Sequence, residues 1–348
     1  MTRKARVLIV DDSPTMRRLL RASLLTDPRI EVVGEAEDAA QARDAVNKYS
    51  PDVMTLDVEM PNMSGLEFLR RLMAHRPMPV VMVSTLTSQG SAAAVEALAL
   101  GAIECVEKPR FGNARDTMAR LAEIVHMAAS ARVREPVPRR VIEAQNNVRP
   151  FAGSEKIVMI GGSTGAVEAL EVLLRSFPAN CPPTLITQHM PAAFLSSFAA
   201  RLDPLVAPNV RLASEGEEIR PGNVYIAPGG DYHLNLDTKG PLRTRLVAGP
   251  AQSGHRPSVD SMFLSAVPVA NRVVSAILTG MGRDGAAGML ALKDGGARTI
   301  GQSEDSCVVF GMPRVAGEMG GVETWADLQD IGKTILTQCT RRKKVRTK

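Results

Sequence analysis

A serine set among glycines is the first place where this chain could do chemistry. Ile157-Val158-Met159-Ile160 is an apolar run that ends in Gly161-Gly162-Ser163-Thr164-Gly165, and a helical pattern follows from Ala166 to Arg175. The pattern is strand, tight turn, helix. Glycines let the backbone turn sharply and leave the serine uncrowded. The N–H groups at the start of the helix suit a developing oxyanion. Gly161-x-Ser163-x-Gly165 also satisfies the nucleophile-elbow pattern. Alone, such a turn is equally compatible with phosphate binding.

A nucleophilic serine needs a base, and the base needs an orienting acid. Three histidines lie downstream: His189, His233 and His255. His189 alone directly follows an apolar strand pattern, 183–187, so it shares a sheet edge with Ser163. Asp284 ends a second buried run, Val273 to Leu278, in the glycine-rich turn Thr279-Gly280-Met281-Gly282-Arg283-Asp284-Gly285. Ser163, His189 and Asp284 are therefore the candidate triad. Their order, Ser…His…Asp, differs from the Ser…Asp…His order of α/β-hydrolases and argues against a lipase-type enzyme.

A different constellation occupies the first third of the chain. Asp11 and Asp12 end the apolar run Val7–Val10, Asp57 ends Val53–Leu56, Ser84 ends 79–83, and Lys108 follows a short strand at 103–106. Three converging carboxylates repel one another unless a hard divalent cation is shared, and oxygen ligands with room for water suit Mg²⁺. Asp57 is then a phosphoacceptor, Asp11, Asp12 and Asp57 hold the metal, and Ser84 and Lys108 contact the phosphoryl oxygens.

The elements that position these residues are strands and helices in strict alternation. Five strand–helix units within about 130 residues predict a parallel, doubly wound sheet, which binds ligands beyond the carboxyl ends of its strands. From Lys156 the alternation resumes as a second, mostly parallel α/β domain. Residues 210–250 hold shorter runs that read as short strands, with an antiparallel edge. Between the two, residues 130–153 are rich in Arg and Pro and read as a linker. The expected organisation is a domain at 1–129, a linker at 130–153, a second domain at 154–339 and a basic, unstructured tail at 340–348.

Bulk properties exclude several classes. The 348 residues carry a net charge of +5, of which the tail from Arg341 to Lys348 contributes +6, leaving a nearly neutral remainder and no folded basic face. With no helix-turn-helix pattern, a DNA-binding regulator is disfavoured and nucleic acid is not an expected partner. No apolar run approaches the ~18 residues of a membrane span, so membrane insertion is not expected. The first apolar run stops at Asp11-Asp12, too short for a signal peptide. The four cysteines are scattered without a C-x-x-C pair, as expected for reduced thiols in the cytoplasm.

Residues 5–125 resemble a flavodoxin-like two-component receiver domain, through Val10-Asp11-Asp12-Ser13, Asp57-x-x-Met60-Pro61, Gly65, Ser84 and Lys108-Pro109. Cys105 stands where receivers often carry an aromatic switch residue. The second half resembles the chemotaxis protein-glutamate methylesterases. The likeness rests on Gly162-Ser163-Thr164-Gly165, Gln188-His189-Met190-Pro191, Ala227-Pro228-Gly229-Gly230, His255-Arg256-Pro257-Ser258-Val259-Asp260, the 279–285 turn and Phe310-Gly311-Met312-Pro313. Ala166 replaces a usual glycine.

The resemblance implies a phosphorylation-activated hydrolase that removes methyl esters from chemoreceptor glutamates and deamidates certain receptor glutamines. It implies the Met281 N–H as oxyanion donor, a sensor histidine kinase as phosphoryl source, chemoreceptors as substrates, Mg²⁺ at the receiver and no cofactor in the esterase site. The rival reading is a receiver joined to a small-ligand or nucleotide module, with Gly161–Gly165 cradling phosphate.

Overall fold

The computed structural model describes residues 3–84, 88–108, 114–133, 151 and 155–340. Most of the expected linker and the basic tail from Arg341 onward lie outside these residues. The chain divides into two compact units, Met1–Ile142 and Glu143–Lys348.

In the first unit, strands β1 (Ala5–Val10), β2 (Ile30–Ala36), β3 (Val53–Asp57), β4 (Val80–Ser84) and β5 (Glu104–Glu107) alternate with helices. These are α1 (Pro14–Leu24), α2 (Ala39–Tyr49), α3 (Gly65–His75), α4 (Ser88–Ala99) and α5 (Ala114–Ala128). The order across the sheet is β2-β1-β3-β4-β5, with every pairing parallel. β3 and β4 are buried at every residue, as continuous apolar runs covered on both faces must be.

Helix starts follow local chemistry. Asp38 and Ser64 cap α2 and α3 by accepting from Gln41 N at 2.8 Å and Glu67 N at 3.2 Å. After β3 the chain doubles back so closely that a Cβ at Gly65 would sit 1.8 Å from the Asp57 carbonyl oxygen, so only glycine fits there. The strand order reverses direction between β1 and β3, which brings the loop after β1 beside the end of β3.

The second unit is built on a seven-stranded sheet. Its strands are β6 (Ile157–Gly162), β7 (Thr184–Gln188), β8 (Asn209–Leu212), β9 (Asn223–Ile226), β12 (Val273–Ile277), β13 (Arg298–Gln302) and β14 (Thr324–Ala326). They are arranged β14-β13-β12-β6-β7-β9-β8, all parallel. The antiparallel edge expected within 210–250 is not part of this sheet. β8 and β9 join it in parallel, and the antiparallel pair is a separate ribbon of β10 (Tyr232–Asp237) and β11 (Arg243–Ala248). The short runs there carry little hydrophobic pattern, so tertiary packing decides their pairing.

Helices α6 (Ala166–Arg175), α7 (Ala192–Leu202), α8 (Val259–Ser265), α9 (Ala286–Asp294), α10 (Met312–Glu318) and α11 (Leu328–Cys339) complete the unit. One core packs Met159 and Ile277 of the sheet with Val259, Met262 and Phe263 of α8 and with Met289 and Leu292 of α9. β6 holds the switch point. The chain leaves it toward β7 on one side and returns to β12 on the other, so the ends of β7, β6 and β12 lie side by side.

Candidate functional site

Those three adjacent strand ends carry His189, Ser163 and Asp284, one on each. The turns are tied by backbone hydrogen bonds: His189 N donates to Gly162 O at 3.1 Å, and Ser163 N donates to Thr279 O at 3.1 Å. A Cβ on Gly280 would lie 2.7 Å from the Ser163 Cβ, so the 279–285 turn touches the serine directly and needs glycine there. Gly162 serves the next contact, since a Cβ on it would meet the Ala166 methyl at 2.6 Å. Ala166 is thus accommodated against a neighbouring glycine.

Ser163 and His189 are buried to 7 % and 8 % exposure, and Asp284 to 1 %. His189 Nε2 lies 2.7 Å from Asp284 Oδ2. A carboxylate only accepts, so Nε2 carries the proton and Nδ1 is left with the basic lone pair. Nδ1 is buried and has no hydrogen-bond partner, so Ser163 Oγ does not reach it in this structure.

Asp284 accepts three further hydrogen bonds: from Val259 N at 2.7 Å, Ser258 Oγ at 2.8 Å and Asp260 N at 3.1 Å. Burial pushes this carboxyl up, but the hydrogen bond and charge of His189, with the Val259 and Ser258 donors, outweigh it and hold it below the usual carboxylate value. Asp284 does not cap its own helix; Gly285 stands at that position. It faces the first turn of α8 instead, while Asp260 returns the favour by accepting from Gly288 N of α9 at 2.7 Å. Burial raises the Asp260 carboxyl, and the nearby Asp284 charge adds to the rise.

The Met281 N–H makes no hydrogen bond to the described residues, whereas the Ser163 N–H is committed to Thr279. Of the other histidines, His233 is structural. Its Nε2 donates to Pro250 O at 3.0 Å, and its Nδ1 accepts from Ser258 N at 3.1 Å, which fixes the residue beside Asp284. His255 is the residue that sequence reasoning underweighted: its ring stacks on His189 with centroids 3.7 Å apart and planes 5° apart. It follows no strand, so position along the sheet gave no signal for it.

In the first unit, Asp11, Asp12 and Asp57 bring ligand oxygens within 4.8 Å of one another. Lys108 Nζ lies 2.7 Å from Asp57 Oδ2 and 3.1 Å from Asp11 Oδ2, and both carboxylates are buried. Three carboxylates against one ammonium leave a formal charge of about −2, which matches a divalent cation with open water positions. Burial pushes the Asp57 carboxyl up to about 6, although Lys108 pulls it down. Burial lowers the Lys108 ammonium, but Asp57 and Asp11 outweigh that and hold it above its usual value.

Ser84 is buried at the end of β4, and its carbonyl accepts from Lys108 N at 2.7 Å, which fixes the two expected phosphate contacts side by side. Cys105 is buried in β5, its thiol pushed far up by burial.

Comparison with known proteins places both constellations in context. Residues 158–335 match the CheB methylesterase family, and residues 7–120 match the response regulator receiver domain. The chain is 51% identical over 344 residues to the protein-glutamate methylesterase/protein-glutamine glutaminase of Rhizobium etli, covering 99% of each chain. It is 52% identical to the protein of Caulobacter vibrioides named protein-glutamate methylesterase/protein-glutamine glutaminase 1, covering 98% of this chain and 99% of that one. The crystal structure of the Thermotoga maritima CheB methylesterase catalytic domain aligns with a TM-score of 0.51 at 37% identity, over 53% of this chain and 99% of that one.

Proposed function

The chain belongs to the CheB methylesterase family, with a response regulator receiver domain at its N-terminal end, and from that premise we propose a phosphorylation-controlled protein-glutamate methylesterase and protein-glutamine glutaminase. Its substrates are methyl-glutamate and certain glutamine side chains of chemoreceptors. A sensor histidine kinase supplies the phosphoryl group, and the enzyme works in the cytoplasm. The observation that carries the reading is the 2.7 Å bond between His189 Nε2 and Asp284 Oδ2 on strands flanking Ser163.

In the mechanism, Ser163 Oγ attacks the ester carbonyl while His189 Nδ1 takes its proton. Asp284 keeps the proton on Nε2 and steadies the imidazolium that forms. The Met281 N–H, which makes no hydrogen bond to the described residues, serves as the oxyanion donor. As the tetrahedral centre collapses, His189 returns the proton to the methoxy oxygen and methanol leaves. Water, deprotonated by the same Nδ1, then attacks the acyl-serine; the bond to Ser163 Oγ breaks, His189 returns the proton to that oxygen, and the receptor side chain leaves as a free glutamate carboxylate. With a glutamine side chain the leaving group is ammonia, and the proton moves are the same.

At the receiver, Asp57 is the phosphoacceptor, and Asp11, Asp12 and Asp57 would hold a Mg²⁺ ion, which would supply positive charge for the phosphoryl oxygens. Ser84 and Lys108 contact its oxygens. The expected division into a receiver at 1–129, a linker at 130–153 and a catalytic domain at 154–339 follows from this assignment.

The test is release of methanol from methylated chemoreceptor, with and without a small-molecule phosphoryl donor. Ser163→Ala abolishes release, Asp57→Asn removes the donor's effect, and a fragment of residues 151–348 works without donor. Undiminished release by Ser163→Ala refutes the serine mechanism, and an inactive fragment beside a responsive full chain refutes the control scheme.

A further inference from the structure

The bond to Asp284 fixes one end of the His189 ring but leaves its plane loosely set. Rotation about the Cβ–Cγ bond moves both ring nitrogens, Nδ1 further than Nε2, and a single hydrogen bond at Nε2 does not by itself fix the ring plane. Terminal torsions of this kind are broad. Nδ1 is the atom that must meet Ser163 Oγ, and its direction needs a second constraint.

The structure holds one. His255 lies parallel to His189, at 3.7 Å and 5°. Its backbone is itself held firmly. Gln252 N donates to His255 O and His255 N to Gln252 O, each at 2.9 Å, closing a tight turn. Ser253 and Gly254 occupy its centre at φ 51° and 80°, the left-handed pair that such a two-residue turn requires. The next residue, Arg256, pins the turn from the other side. Its guanidinium donates to Gly230 O, to Gly249 O at 2.7 Å and to Asp231 Oδ1 at 2.8 Å. The 249–256 loop is thus a rigid arm that carries one imidazole onto another.

We propose that His255 is a positioning residue for the esterase reaction: as a flat plate against His189, it sets the ring plane so that Nδ1 faces the Ser163 turn. This deepens the proposed serine mechanism and rests on it. The plate acts through shape and ring contact, so another aromatic ring of similar size serves in its place.

The experiment uses the full chain with acetyl phosphate and MgCl₂, and follows release of tritiated methanol from a chemoreceptor cytoplasmic fragment carrying labelled methyl esters. Wild type is compared with His255→Ala, His255→Phe and Ser163→Ala, and circular dichroism confirms the fold of each. His255→Ala should lower kcat about tenfold with KM within about twofold, the scale expected when a stacked ring pair is lost. His255→Phe should recover kcat to within about threefold of wild type. A kcat for His255→Ala within twofold of wild type overturns the proposal, and so does a Phe variant no better than Ala. Wild-type release no greater than that of Ser163→Ala refutes the serine mechanism itself, and this inference with it.

Discussion

Replacing Asp284 with asparagine keeps the shape of the site and removes one charge, and the outcome can be worked out from four distances. Oδ2 accepts from His189 Nε2 and Val259 N, both at 2.7 Å, while Oδ1 accepts from Ser258 Oγ at 2.8 Å and Asp260 N at 3.1 Å. An amide must place its NH₂ at one of these positions, facing a backbone N–H that cannot reverse. The Oδ1 side is the lesser conflict. Ser258 Oγ can turn to accept, and Asp260 N is the more distant donor. The amide oxygen then stays at the Oδ2 position, and His189 keeps its proton on Nε2.

The tautomer survives, but the charge that steadies the imidazolium is gone. One donor is opposed and three charge-assisted bonds become neutral, which costs stability about 2–4 kcal/mol. The kcat for methanol release should fall about 10²-fold, less than the ~10⁴ seen when an equivalent change forces the wrong tautomer.

The stability loss depends on pH. The folded carboxyl lies below its unfolded value of 3.8, so its contribution is fully present above about pH 4 and fades as pH falls through the folded value. Steady-state methanol release and urea unfolding at pH 7 and pH 3.5 measure both effects. A loss of 10⁴ or more would show that the amide turns the other way. A loss under threefold would remove Asp284 from the reaction.

Other expectations follow from single contacts. Gly280→Ala would place a methyl 2.7 Å from the Ser163 Cβ and 2.5 Å from the Met312 sulfur, so kcat should fall at least tenfold, with about 1–3 kcal/mol lost on urea unfolding. Gly282→Ala meets nothing within 4 Å and strains only its own φ of 85°, so it should cost about 1 kcal/mol and little activity; equal activity losses would refute the close-approach argument.

At the receiver, burial raises Asp57 to about 6, so the stability it contributes without metal is fully present below about pH 4 and lost as pH rises through 6. MgCl₂ should therefore raise the full chain's Tm more at pH 8 than at pH 5, and equal shifts would contradict a cation held by these carboxylates. Burial pushes the Cys181 and Cys339 thiols up to about 12 and Cys105 still higher, and Cys307 is also buried. Iodoacetamide at pH 8 should leave all four unlabelled until urea unfolds the chain; rapid native labelling would refute their burial.

The sequence by itself determined the first sheet, the central strands of the second, and the placement of their reactive ends. Continuous apolar runs of four to six residues, rich in Val and Ile and bounded by turn residues, read as strands covered on both faces. Where such a run stops at Asp11, Asp57, Ser163 or His189, the polar residue falls at the carboxyl edge, because a parallel sheet points every strand end the same way. Tertiary structure alone decided what lacks a pattern along the chain. The runs at β8 and β9 were too short to reveal parallel pairing, and only the core beneath them set it.

Asp284 was legible as a strand-end acid, but its grip on the first turn of α8 was not, since that contact joins segments 25 residues apart through side-chain geometry. His255 was hidden for the same reason. A histidine in a polar loop has no periodicity to betray it, and its ring meets His189 only because a tight turn and the Arg256 clamp fold the loop back over the strand ends.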